Sequence, residues 1–212
     1  IVFGSAISWS RYNGATVFFR GLCRALARAG LETIFAEEWR PVESDPDIPM
    51  GFGIRRYRHT RGARSILDAV PSPRLIIKFI HCGSMEPALD QALVASREPG
   101  DCLIYIDGDA PITLDEVSCA PKHYLRRMLP GFDGALILAG GPEATRQFLS
   151  LGVPRARWGY CGVDMDFWHP APPAPGLQCD LLFTGNNLPD RRDRLEEFFL
   201  RPARLCPERR FI

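Results

Sequence analysis

The chain has 212 residues, 46% of them hydrophobic and 24% charged, with a formal net charge of +1, the make-up of a globular protein with apolar material for one or two domains. So even a balance gives no electrostatic reason to bind nucleic acid, and the longest apolar runs, at 75–80 and 103–106, are far shorter than the roughly 18 residues of a membrane span. Seven cysteines, at 23, 82, 102, 119, 161, 179 and 206, stand singly without a Cys-x-x-Cys pair; this argues against a disulfide framework and a structural zinc site, and a reducing cytoplasm is the expected compartment.

In chain order, residues 1–4 form a short buried-type strand and 5–12 a loop leading to Asn13-Gly14. From 15 to 29 the apolar residues Phe18, Leu22, Ala25, Leu26 and Ala29 recur at helical spacing, and Gly30 is placed to end the helix. Arg20, Arg24 and Arg28 fall on one stripe of that helix and read as a solvated face. A strand is expected over 32–36, a surface excursion rich in proline and acid over 38–53, a weaker strand over 54–59 and a short helix over 61–70. Residues 74–80 make a strong strand that runs into His81-Cys82-Gly83, and 87–97 a helix stopped by Pro99-Gly100. The buried strand 102–106 ends in Asp107-Gly108-Asp109-Ala110-Pro111. A helix around 121–128, a strand over 134–139, Gly140-Gly141-Pro142 with a helix to 151, and a short strand over 157–161 complete the series. Near-continuous apolar strands alternating with helices indicate an α/β fold with a parallel sheet covered on both faces.

The segment 162–170 is followed by Ala-Pro-Pro-Ala-Pro-Gly at 171–176, a proline density that neither a helix nor a central strand accommodates. The expected division is therefore an N-terminal domain over 1–163, a hinge over 164–178 and the opening of a second domain over 179–212. That opening reads as a strand at 180–184, a loop at 185–188 and a helix whose first turn holds Pro189. The chain starts at Ile1 inside an apolar strand and stops at Phe211-Ile212 inside another, so it is expected to be a fragment.

In parallel sheets of this kind ligands bind outside the carboxyl ends of the strands. The positions to inspect are thus 5–14, 81–84, 107–113, 140–141 and 185–192. There is no Gly-x-Gly-x-x-Gly fingerprint and no Gly-Lys-Ser/Thr phosphate loop, which removes the main support for hydride transfer or nucleotide hydrolysis. Asn13-Gly14 either lets a ligand approach the backbone and helix N-terminus or is an ordinary turn. Asp107 and Asp109 have three readings: ligands of a divalent ion, a general base on a hydroxyl acceptor, or turn and helix caps. His81, in the neighbouring loop, is either a base near neutral pH or an exposed structural residue. Beyond the hinge, Gly185, Asn186, Arg191 and Arg192 sit at a strand–loop–helix junction. Arginines in a first helical turn oppose the helix dipole unless an anion such as a diphosphate lies there or Asp190 and Asp193 neutralise them.

Taken as an ordered set, these stretches resemble the GT-B-fold glycosyltransferases, in particular the CgeB-like, spore maturation protein type group. The matching segments are Asn13-Gly14 with the helix ending at Gly30, Tyr105-Ile106-Asp107-Gly108-Asp109-Ala110-Pro111-Ile112-Thr113-Leu114, 139–153, Gly162-Val163-Asp164 with Phe167 and Pro170, and Leu182-Phe183-Thr184-Gly185-Asn186 with Pro189-Asp190-Arg191. The resemblance implies a GT-B-like Rossmann-type domain followed by the first βα unit of a second one, and transfer of a sugar from a nucleotide-activated donor to an acceptor in a cleft between them. It places Asp109, Asp107 and His81 in the chemistry, Asn13, Gly14, Thr113 and Gly141 on the acceptor side, and Gly185, Asn186, Arg191 and Arg192 on the donor phosphates. It implies no cofactor beyond the nucleotide sugar as co-substrate and no required metal. The fragment alone is expected to be inactive. Two other readings stand beside it: a metal-dependent Asp-x-Asp transferase, and a non-catalytic module that binds a sugar or nucleotide sugar.

Overall fold

The structure is a computed structural model that describes residues 1–5, 7, 14–39, 50–81, 83–166, 168–185 and 192–212. The chain packs as two compact units, Ile1–Trp168 and His169–Ile212. The first contains a seven-stranded, all-parallel sheet in the order β3-β2-β1-β4-β5-β6-β7. Its strands are β1 (Val2–Gly4), β2 (Ile34–Glu38), β3 (Gly53–Tyr57), β4 (Leu75–Phe79), β5 (Cys102–Asp107), β6 (Gly134–Ile137) and β7 (Ala156–Trp158). The helices are α1 (Gly14–Arg28), α2 (Thr60–Asp68), α3 (Glu86–Ala95), α4 (Ala110–Cys119), α5 (Leu125–Met128) and α6 (Gly141–Ser150). This is a Rossmann-like α/β fold.

Four consecutive residues of β4, Ile76 to Phe79, are buried. Successive side chains of a strand point to opposite faces, so burial of consecutive residues requires cover on both sides of the sheet. Helices supply it: α2 packs on α3, α3 on α5 and α4 on α6. Phe19 of α1 meets Phe79 of β4 edge-on at 4.6 Å and Phe35 of β2 at 5.2 Å, pairings that add to their burial. The helix ends where Gly30, at φ 85°, turns the chain left-handed, a conformation open to glycine at no steric cost.

Two expectations need correction. The helix assigned to 121–128 is only the four-residue α5, and the main connection from β5 is α4, which begins at Ala110. Pro111 sits in the first turn of α4, where its missing N–H costs nothing, so the residues read as a loop to Thr113 are already helical. The arginine stripe of α1 is not simply solvated. Arg20 is buried and donates to the Ile7 carbonyl at 2.8 Å, Arg24 pairs with Asp164 at 2.6 Å, and Arg28 pairs with Asp166. Asp164 and Asp166 thus bring the chain beyond the edge strand β7 back onto α1.

In the second unit the expected strand over 180–184 is a single parallel bridge, Leu181 to Phe211. Phe183 N–H donates to the Ile212 carbonyl and Ile212 N–H to that of Leu181. Phe199, in the helical run from Arg192 to Leu205, packs on the rings of Phe183 and Phe211 at 5.7 and 5.6 Å. None of this unit's described residues is buried. Among the described residues, no helix is long and apolar enough to cross a membrane.

Candidate functional site

From β4 to β7, three backbone hydrogen bonds among the described residues extend the ladder past the carboxyl ends of the strands. Ile80 N–H donates to Ile106 O at 2.9 Å, Leu138 N–H to Asp107 O at 2.8 Å, and Gly159 N–H to Ile137 O at 2.9 Å. They align His81, Asp107–Asp109, Gly140–Gly141 and Gly159–Cys161 along one rim of the sheet, next to the point where strand order reverses between β1 and β4. This is the side on which such sheets take ligands.

Asp107 is the last residue of β5 and is wholly buried. Its Oδ1 accepts the Asp109 N–H at 2.8 Å, while Oδ2 is buried without a hydrogen-bond partner. Burial pushes its carboxyl up to about 6; the neighbouring Thr113 hydroxyl, the Asp109 N–H and the charge of His81 pull in the opposite direction but only partly offset desolvation. Asp109 is exposed and occupies the N-cap position of α4, yet its side chain caps no backbone N–H. The Asp-Gly-Asp turn therefore holds one carboxyl inside and presents the other to solvent. Thr113 is buried one turn into α4, its hydroxyl 3.5 Å from the Asp109 carbonyl.

His81 is exposed and has φ 58°, a left-handed conformation uncommon outside glycine. Its N–H donates to Glu86 Oε1 at 2.7 Å. The same Oε1 receives Nζ of Lys78, a fully buried residue of β4 that also pairs with Asp90 at 3.0 Å. Sequence reasoning passed over this Lys78–Glu86–Asp90 group. The one available signal was a lysine interrupting the apolar run of β4, which buries unless paired at a cost of several kcal/mol. Desolvation raises the Asp90 carboxyl to about 6 against the pull of Lys78.

Gly140 and Gly141 have φ 84° and 60° and open α6. A Cβ on Gly140 would lie 2.7 Å from the Ala144 Cβ and 3.4 Å from Pro111 Cγ, so this turn packs against the start of α4. Gly14 is the first residue of α1 and is exposed. Asn13, Asn186 and Arg191 lie outside the described residues. Gly185 and Arg192 belong to the second unit, where Arg192 opens the helical run and Asp193 follows in its first turn. The structure thus brings together His81, Asp107, Asp109, Thr113 and Gly141 within the first unit. Among the described residues no group of three or more His, Cys, Asp or Glu side chains is arranged to hold a metal ion. Compared with known proteins, the chain matches no protein-family model, no curated protein and no solved structure.

Proposed function

We propose that the protein is a glycosyltransferase that moves a sugar from a nucleotide-activated donor to a hydroxyl acceptor held over the carboxyl ends of β4–β7. The observation that carries this reading is the Asp107–Asp109 turn at the rim of a Rossmann-like sheet: a buried carboxyl grips the backbone of an exposed one. Asp109 is assigned the role of general base. It takes the proton of the acceptor hydroxyl as that oxygen bonds to the anomeric carbon and the nucleoside diphosphate leaves. Asp107 is a positioning residue that fixes the turn, and its ionised form accepts the Asp109 N–H best. His81, within electrostatic reach of Asp107, favours that ionised form. Gly185, Asn186, Arg191 and Arg192 are assigned to the donor diphosphate, for which backbone N–H groups and paired guanidinium forks are suited.

The reading is tested by isothermal titration of the protein, expressed with any sequence that flanks these residues in its gene, against a panel of nucleoside-diphosphate sugars. At least one donor is expected to bind, with affinity kept in an Asp109→Asn variant because that residue serves the acceptor. No binding across the common donors would sink the proposal.

A further inference from the structure

The turn from β4 to α3 is held at both ends by carboxylates that the proposed chemistry does not use. At its first residue the His81 N–H donates to Glu86 Oε1 at 2.7 Å, and the same oxygen receives Nζ of Lys78. At its other end Glu38, the last residue of β2, accepts from the Ser84 N–H at 3.0 Å and from the Ser84 hydroxyl at 2.7 Å. Between them Gly83 passes so close to Glu38 that a Cβ there would lie 2.0 Å from its Oε2.

Glu86 opens α3, where any acid suits the helix dipole. Its geometry is more particular than that, because the carboxylate turns back to the end of β4 and takes donors from there. Lys78 is wholly buried and also pairs with Asp90 at 3.0 Å. A buried ion pair stabilises a fold no better than apolar residues of similar volume, so stability alone gives no reason for an ammonium in an apolar strand. A charge-assisted bond to the His81 backbone gives one. It holds a residue with a side chain at φ 58°, a conformation that must be stabilised by its surroundings. The imidazole on that backbone is within electrostatic reach of Asp107. The other titratable groups that face Asp107 are Asp109 in the same turn and Tyr105 two residues back on β5, and Tyr105 in turn senses Tyr124 and, from α3, Glu86 and Asp90.

We propose that Glu86 is a positioning residue: anchored by the Lys78 ammonium, its carboxylate holds the His81 backbone so that the imidazole stays beside Asp107. Glu86 touches no reacting atom and acts through His81. The proposal rests on the transferase reading only for its consequence, that a charged His81 keeps Asp107 ionised and Asp109 in place; the coupling from Glu86 to Asp107 stands by itself. The sign of the effect separates it from plain electrostatics. Removing a carboxylate near Asp107 lowers its midpoint directly, whereas losing an aligned His81 raises it.

The test follows the Asp107 carboxyl by carbon-13 NMR in the protein expressed with its flanking sequence, the signal being assigned by its loss in Asp107→Asn. Glu86→Ala is expected to raise the Asp107 midpoint by about half a pH unit and His81→Ala by about as much, while the double variant moves it no further than either alone, because the two residues act in series. Exchange of the His81 amide should quicken about tenfold or more in Glu86→Ala. Glu86→Gln keeps an acceptor oxygen for that amide and should return the midpoint to within about 0.2 pH units of wild type. Glu86→Met, which fills the space without an acceptor, gives the same reading should the alanine loosen α3. A midpoint that falls or stays put when the carboxylate is removed, shifts that add in the double variant, or a shift that glutamine does not reverse overturns the proposal. Coupling found in a protein that binds no nucleotide sugar keeps the positioning role and removes the transferase reading. Donor binding with additive shifts does the reverse.

Discussion

Asp107 costs the fold stability in order to be where it is. Its carboxyl titrates near 6 in the folded protein against about 4 in an unfolded chain. Between those values the folded state binds more protons than the unfolded one, so stability falls as pH rises through this window and the full penalty of roughly 3 kcal/mol is present above it. Asp107→Asn keeps an acceptor for the Asp109 N–H and removes the ionisation. The variant should gain about 1–3 kcal/mol at pH 8 in urea denaturation and nothing at pH 4; equal gains at both values would show that Asp107 is not desolvated as described. Asp101 has the opposite sign. Hydrogen bonds from Arg74, whose guanidinium grips both carboxylate oxygens in a buried pair, hold it well below the usual carboxylate range. Its contribution is present above the unfolded value and is lost as pH falls. The two carboxyls stand at opposite ends of β5, one opposing stability and the other supporting it.

The elements around the site depend on turns whose geometry a sequence shows only in part. Gly140-Gly141-Pro142 is legible as a break and a helix start, and α6 begins there as expected. What the letters do not show is that the left-handed Gly140 leaves no room for a Cβ against Ala144. Gly140→Val should therefore cost about 2 kcal/mol or more through backbone strain and the clash, measured as a lower urea midpoint, whereas a change within about 0.5 kcal/mol would mean that α6 can shift away from α4. The start of α4 was missed because four of the five residues in Asp-Gly-Asp-Ala-Pro favour turns, and only the placement of Pro111 in the first helical turn reveals the helix. The arginines of α1 were misread for a different reason. Their partners, Ile7 and Asp164, are 13 and 140 residues away, and helical periodicity carries no information about contacts at that distance.

At the scale of the whole molecule, the parallel sheet was legible because buried strands such as Leu75–Phe79 and Cys102–Asp107 are apolar on both faces. The positions that matter for ligands were legible for the same reason, since the fold class points to the carboxyl ends of strands. Which of those loops converge was not legible. Strand order places β4, β5, β6 and β7 side by side, and only that order joins His81 and Asp107–Asp109 to Gly140 and Gly159–Cys161. The transferase proposal depends on this convergence and on Asp109 as its reacting group. The direct measurement is release of nucleoside diphosphate from the donor that binds, in the presence of hydroxyl-bearing acceptors, by the wild-type protein expressed with its flanking sequence and by its Asp109→Asn variant. Acceptor-dependent release is expected from the wild type, with a loss of about a hundredfold or more in the variant at unchanged donor affinity; wild-type turnover in Asp109→Asn, or no acceptor-dependent release from any bound donor, would contradict it.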